Sequence, residues 1–166
     1  MPVTSLLKPE IKAWLDKSVS SELYASNLYK HIANQLQRLG YFGAQAFYLK
    51  ESSDELNHYQ IIVDYTNDMG ACSIVGMVPL MQQPIISIGL ALRLSYDTEL
   101  ALMYQYQDFY EEAEEMGDCI TSQFVLQFLE IQRKSVGEFG DFISRYEKCG
   151  MNEGAILEFD EYLKEQ

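Results

Sequence analysis

Residues 21–29 read SELYASNLY, and they lie in the middle of a long segment with helical spacing. Apolar side chains recur on both sides of this segment at the three- and four-residue intervals that form one helix face. Glu22 falls seven residues after Leu15 and seven before Tyr29, with Ala25 one turn further along. Its carboxylate is therefore predicted on the buried face, about halfway along the helix. A charge in that position needs a compensating partner.

The same periodicity predicts four long helices and one short one. The predicted helices run from about Pro9 to Arg38, from Phe42 to Met69, from Ile86 to Glu115, from the N-cap Asp118 to about Cys149, and from Glu153 to Lys164. Gly40, Gly70 and Gly150 end three of them, as glycine commonly does. Each long helix is about 40 Å in length at 1.5 Å per residue.

The connection from Gly70 to Pro84 sets the topology. It contains Gly76 and Pro79 and has no sustained period, so it is predicted to be a loop, and it is long enough to run the length of a bundle. The second and third helices would then be parallel. The 166 residues suit a single domain. The predicted fold class is all-α: a four-helix bundle with a long crossover connection and a short fifth C-terminal helix.

Each long helix sends polar side chains into its apolar face near the midpoint. After Glu22 on the first helix come Glu55 and His58 on the second, Glu99 on the third and Gln132 on the fourth. Several carboxylates buried together cost several kcal/mol and repel each other unless cations compensate them. Oxygen-rich ligands with one imidazole suit Fe, Mn or Zn rather than Cu. A Glu-x-x-His pair with Glu from other helices is typical of di-iron sites in helical bundles.

Taken singly, each of these residues has a simpler interpretation. An isolated Glu is often solvated at the edge of an apolar stripe, and a lone His after it is often a surface residue. The coincidence at similar heights on four helices favours a metal site. His31, the other histidine, lies off the Glu22 face and is interpreted as a surface residue.

Composition and charge exclude several classes of partner. The 25 Asp and Glu residues exceed the 12 Lys and Arg residues, and a net charge of −13 repels nucleic acids and anionic membranes. Cys72, Cys119 and Cys149 have unrelated spacings, which predicts free thiols in a reducing compartment. The first ten residues contain no apolar segment, and no part of the chain has the roughly 20 consecutive apolar residues that span a bilayer. We therefore expect a cytoplasmic protein without a signal peptide.

Four segments resemble the non-haem ferritins, the prokaryotic type above all, and the likeness covers nearly the whole chain. Residues 21–29 resemble the ELYAS-type segment of the first ferritin helix, and Asp54-Glu55-Leu56-Asn57-His58 resembles the E-x-x-H element of the second. Residues 96–99 resemble the ligand segment of the third helix. Residues 138–150 resemble the end of the fourth, and counting back from them places Gln132 at the family's glutamine.

The resemblance implies a di-iron centre with specific ligands. Glu22, Glu55 and His58 would bind the first iron, with Glu55 as the bridge, and Glu55, Glu99 and Gln132 would bind the second. The implied function is oxidation of two Fe(II) by O2 or H2O2, followed by release of Fe(III) to a mineral inside a homo-oligomeric shell of 24 subunits.

Tyr29 corresponds to the tyrosine that borders the ferritin site. It either donates an electron during oxidation or is a core tyrosine that hydrogen-bonds a ligand carboxylate. Two further functions stay open: a di-iron oxidase or peroxidase that does not store iron, which normally has two E-x-x-H elements, and a helical interaction protein without metal.

Some positions depart from the family pattern. Bacterioferritins carry a second E-x-x-H element on the fourth helix, whereas residues 132–135 here read QRKS. The chain therefore resembles the ferritins rather than the bacterioferritins, and no haem is expected. Residues Ile131, Lys134 and Ser135 stand where many prokaryotic ferritins have the glutamates of a third iron site. That site is either lost or rebuilt around the possible accessory ligands Glu51, Asp54 and Glu130. For Glu130 a solvated or ion-paired role is favoured.

Overall fold

The computed structural model describes residues 4–166, and these form five α-helices without a β-strand. The helices are α1 (Pro9–Arg38), α2 (Phe42–Asp68), α3 (Ile88–Glu115), α4 (Cys119–Glu147) and α5 (Glu153–Lys164). The predicted all-α fold is confirmed, with differences of one or two residues at helix ends. Residues 1–3, part of the segment for which no signal peptide is expected, lie outside the described residues.

Helix starts follow from capping side chains. The Ser87 hydroxyl accepts a 3.1 Å hydrogen bond from the Leu90 amide, so α3 begins at Ile88, two residues later than predicted. Asp118 caps α4 as predicted, accepting from the Thr121 amide at 3.1 Å. The turn between α1 and α2 places Gly40 at a φ of +89°, which a residue with a side chain rarely adopts.

The crossover between α2 and α3 is held along the outer side of α1. Its Ile74 amide donates to the Asp16 carboxylate at 2.8 Å, near the start of α1. Its Ile85 amide donates to the Gln35 side chain at 2.9 Å, near the end of α1. The connection therefore runs most of the length of the bundle, and α2 and α3 are parallel, as predicted.

His31 also contributes to this attachment. Its Nε2 atom lies 2.9 Å from the Gln83 carbonyl oxygen, and the side chain is half-buried. His31 thus lies at the surface, as interpreted from the sequence, and the crossover covers part of its side chain.

The core is divided into two apolar clusters by a polar layer. One cluster includes Tyr29, Tyr48 and Phe139, and the other includes Leu15 and Phe128. Between them lie four buried polar side chains, one from each long helix: Glu22, Glu55, Glu99 and Gln132. The layer lies at mid-height because each helix carries its polar residue near its midpoint.

The short helix α5 packs against the start of α2. The buried Asp160 carboxylate accepts hydrogen bonds from the Gly43 amide at 3.0 Å and from the Ala44 amide at 2.7 Å. It therefore satisfies two free amides at the α2 N-terminus from another helix. Within residues 4–166, no helix is both long and apolar enough to cross a bilayer.

Candidate metal centre

Three side chains from two helices converge in the polar layer. One ligand atom each from Glu22, Glu55 and His58 lie within 4.8 Å of one another. His58 Nδ1 is 3.1 Å from Glu55 Oε2 and 3.7 Å from Glu22 Oε2. Glu55 and His58 share a face of α2 because they are one turn apart. The side chains of Glu22 and Glu55 are 0% and 4% exposed, so solvent screens neither carboxylate.

Glu99 and Gln132 meet from the opposite pair of helices. With its amide nitrogen donating, Gln132 lies 2.6 Å from Glu99 Oε2 and 3.3 Å from the Glu99 carbonyl oxygen. The Tyr29 hydroxyl donates to Glu99 Oε1. Both oxygens of Glu99 are thus held by hydrogen bonds, and Glu99 is not among the residues whose ligand atoms lie within 4.8 Å of one another.

Glu22 is held on one side only. Its Oε1 atom accepts a hydrogen bond from the hydroxyl of Tyr106, a residue that sequence analysis did not place in the site. Its Oε2 atom is buried without a hydrogen-bond partner and faces His58 and Glu55. A buried carboxylate oxygen without a partner is strongly unfavourable, and a bound cation removes that cost.

Burial and neighbouring carboxylates raise the pKa values of several groups in the site. Burial raises the pKa of Glu55 well above its usual range; the His58 hydrogen bond opposes this, and the nearby Glu22 adds to it. Burial is also the main reason that the pKa of Glu99 rises to about 7. Burial alone would lower the pKa of His58, but the carboxylates of Glu22 and Glu55 raise it to about 10. These raised pKa values favour the protonated forms, and a divalent cation would compete with the protons.

The three possible accessory residues do not join this group. Glu51 lies one turn before Glu55 and is partly buried; burial, with help from Glu138, Glu99 and Asp54, raises its pKa to about 8. Asp54 is half-buried.

Glu130 is exposed and belongs to a surface ion pair. It accepts two hydrogen bonds from Arg133, at 2.9 and 2.7 Å, and lies 3.7 Å from the Lys134 ammonium. Its position therefore agrees with the ion-paired interpretation. Helix α4 presents Glu130 to solvent rather than to the centre of the bundle.

A long four-helix bundle with buried carboxylates and a Glu-x-x-His pair at its centre defines the class of helical carboxylate metal proteins. The family model of the ferritin-like domain matches residues 12–149. The chain belongs to the ferritin family. The resemblance predicted from the four sequence segments is thereby confirmed.

Individual relatives are distant but match along most of their length. A ferritin of Pacifastacus leniusculus is 26% identical over 157 residues, covering 92% of this chain and 86% of its own. A bacterial non-heme ferritin of Staphylococcus epidermidis is 25% identical over 145 residues, with 87% of each chain covered. An open pore ferritin from the archaeon Archaeoglobus fulgidus superposes with a TM-score of 0.94 at 19% identity, covering 96% of this chain and 99% of its own. This last similarity supports the fold alone.

Proposed function

We propose that this chain is a ferroxidase and iron-storage subunit that oxidises Fe(II) at the polar layer and releases Fe(III) to a mineral. Glu22, Glu55 and His58 form the first metal position. Glu55, Glu99 and Gln132 form the second metal position, with Glu55 shared. This function is favoured over a metal-free interaction protein because a buried carboxylate oxygen of Glu22 has no hydrogen-bond partner and faces a second buried carboxylate and an imidazole.

The observation that carries the proposal is the unpartnered Oε2 atom of Glu22. It is fully buried, and it faces a second buried carboxylate and an imidazole whose ligand atoms lie within 4.8 Å. Without a bound cation, burial of this oxygen without a hydrogen-bond partner would cost about 1–3 kcal/mol of stability. Carboxylate oxygens with one histidine nitrogen form a donor set that suits Fe(II).

The second metal position differs from the first in its neutral ligand. It has the neutral amide of Gln132 where a further carboxylate or histidine could stand, and the Glu99 carboxylate is shared with the Tyr29 hydroxyl. An amide is a weaker donor than the imidazole of the first position, and with the competing hydrogen bonds it favours weaker, exchangeable binding. A product ion can leave such a position more readily than the first.

The proposed reaction balances with either oxidant. Two Fe(II) substrates lose one electron each, and O2 with two protons becomes H2O2; with H2O2 as the oxidant, two protons and two electrons give two water molecules. The protein's carboxylates favour Fe(III) over Fe(II) because they bind the higher charge more strongly. His58 and Glu99 give up their protons when the metal binds.

The proposal extends to assembly and location. By family membership, we propose a homo-oligomeric shell of 24 single-domain subunits of residues 1–166, without haem and without nucleic-acid or membrane partners. The cytoplasm is the proposed compartment, because the described cysteines are free thiols and suit a reducing environment.

Two measurements test the proposal. Aerobic addition of Fe(II) should give a fast ferric absorbance, and size-exclusion chromatography should give a particle of several hundred kilodaltons. Glu22→Ala and His58→Ala should each abolish fast oxidation and keep the particle size, while the exposed Glu130→Ala should change neither.

Each alternative has its own result. Fast oxidation by a dimer or monomer would favour a non-storage di-iron oxidase. Equal oxidation rates in Glu22→Ala, His58→Ala and the unmodified protein would reject the proposed site.

A further inference from the structure

Two tyrosines hold carboxylates of the site in a reciprocal pattern. On α1, Glu22 is followed seven residues later by Tyr29, and on α3, Glu99 is followed seven residues later by Tyr106. The Tyr29 hydroxyl donates to Glu99, and the Tyr106 hydroxyl donates to Glu22. Because α1 and α3 run antiparallel, the same spacing on both helices places the tyrosine of each helix opposite the glutamate of the other helix.

The hydrogen bond from Tyr106 makes the two carboxylate oxygens of Glu22 unequal. Oε1 is occupied by the phenol, and Oε2 is left without a partner on the side of His58. Both residues are 1% exposed or less, so water does not compete for this hydrogen bond. A carboxylate held in this way presents one oxygen to a cation in a fixed direction.

The ring of Tyr106 is itself held in place. It stacks on Phe128 of α4 with ring centroids 4.9 Å apart and an interplanar angle of 21°. The same Phe128 ring meets the His58 imidazole at 6.2 Å and 79°. Phe128 therefore packs against both the residue that orients Glu22 and the histidine that faces Glu22.

We propose that Tyr106 is a positioning residue for the first metal position, acting through its hydrogen bond to Glu22 as Tyr29 acts on Glu99. The inference rests on the proposed function for its physiological metal, but it concerns divalent-cation binding and not the oxidation itself. Loss of the hydroxyl frees Glu22 to rotate and leaves a second oxygen of the carboxylate unpartnered, so the first metal position weakens.

The test uses Zn2+, which binds the same donor set and undergoes no oxidation. Calorimetric titration of the metal-stripped assembled protein is done in a Glu99→Ala background, which isolates the first metal position. Tyr106→Phe is expected to weaken Zn2+ binding there by about 10- to 100-fold. Tyr48→Phe is the matched control, because Tyr48 is equally buried and its hydroxyl pairs with Ser95 rather than with a carboxylate.

A double-mutant cycle separates positioning from packing. With Glu22→Gln present, Tyr106→Phe should cause no further loss, whereas a packing defect would cause the same loss with either residue at position 22. Tyr106→Met provides a second variant without the hydroxyl whose flexible side chain fills the space differently. Binding within twofold of the background in either variant, or an equal loss beside Glu22→Gln, would overturn the inference.

The outcome is distinguishable from failure of the proposed function. Two Zn2+ ions bound per unmodified chain without oxidation of Fe(II) would reject the ferroxidase proposal and leave the role of Tyr106 to be decided by the Zn2+ titrations. An unmodified chain that binds no Zn2+ would overturn both.

Discussion

At the scale of single residues, the site is built from groups that are unfavourable without a cation. Glu22 has one satisfied and one unsatisfied oxygen, and Glu55 and Glu99 are buried beside it. His58 is the basic side chain of the group formed with Glu22 and Glu55, and its raised pKa favours the protonated form. The residues that make a metal site possible therefore make the metal-free protein less stable than an apolar layer would.

The metal-free protein should lose stability as pH rises from about 5 to about 10. The pKa of Glu99 is about 7 against an ordinary 4.5, and that of His58 is about 10 against 6.5. The folded state therefore binds more protons than the unfolded state across this range, and its stability falls as they are lost. Thermal unfolding of metal-stripped protein at several pH values measures the trend.

Zn2+ affinity should change with pH in the opposite direction. The cation competes with the protons on Glu99 and His58, so binding becomes tighter as pH rises. His58→Gln removes the titrating imidazole but keeps Glu99, so this control variant should have a flatter profile from pH 7 to 9. Zn2+ affinity that falls with rising pH in the unmodified protein would contradict this account.

At the scale of elements, α5 is joined to α2 by a hydrogen-bonded contact rather than by apolar packing alone. Asp160 supplies the acceptor that the first amides of α2 lack, and the chain approaches so closely that only glycine fits at position 43. A Cβ atom there would lie 1.9 Å from the Asp160 carbonyl oxygen, far inside van der Waals contact. The predicted fifth helix is thus positioned by the Asp160 carboxylate and by the absence of a side chain at position 43.

Gly43→Ala should detach α5 from α2 and destabilise the protein, because backbone atoms cannot move aside cheaply. Asp160→Ala should cost about 2–6 kcal/mol, since it leaves two buried amides without an acceptor at about 1–3 kcal/mol each. Limited proteolysis near residues 148–152 and chemical denaturation measure the two effects.

Two matched substitutions control for general effects on the helices. Gly137 lies in α4 with open space where a Cβ atom would stand, so Gly137→Ala should stabilise by about 0.5–1 kcal/mol. Asp141→Ala removes an exposed carboxylate on the same helix and should be close to neutral. Equal behaviour of Gly43→Ala and Gly137→Ala would show that the contact with Asp160 is unimportant.

At the scale of the whole molecule, the polar layer separates two apolar clusters that together form the core. The layer draws a buried residue from each long helix, so cations bound at both proposed positions would together link all four helices. The bundle is then stabilised by apolar burial at both ends and by the bound cations in the middle.

Divalent cations should therefore raise the thermal stability of the entire bundle. Zn2+ at 100 times its Kd contributes about 2.7 kcal/mol per site. Glu22→Gln removes one buried carboxylate. Without metal, this variant should be more stable than the unmodified protein, and Zn2+ should raise its Tm by less. Differential scanning calorimetry with and without Zn2+ measures both. A Glu22→Gln variant that is less stable without metal would show that Glu22 is compensated in some other way.

The sequence by itself determined the number and order of the helices, the crossover and the faces that carry Glu22, Glu55, His58, Glu99 and Gln132. These features depend on helical periodicity and on where glycine and proline stand, which are local properties of the chain.

Only the tertiary structure decided which atoms meet. Tyr106 and Glu22 are 84 residues apart, Tyr29 and Glu99 are 70 apart, and Asp160 and Gly43 are 117 apart. Periodicity places a side chain on a face, but the rotation and axial offset of one helix against another are set by the packing of all their side chains together. The repeated seven-residue spacing from glutamate to tyrosine on α1 and α3 was visible in the sequence, yet its meaning required knowing that those two helices are antiparallel neighbours.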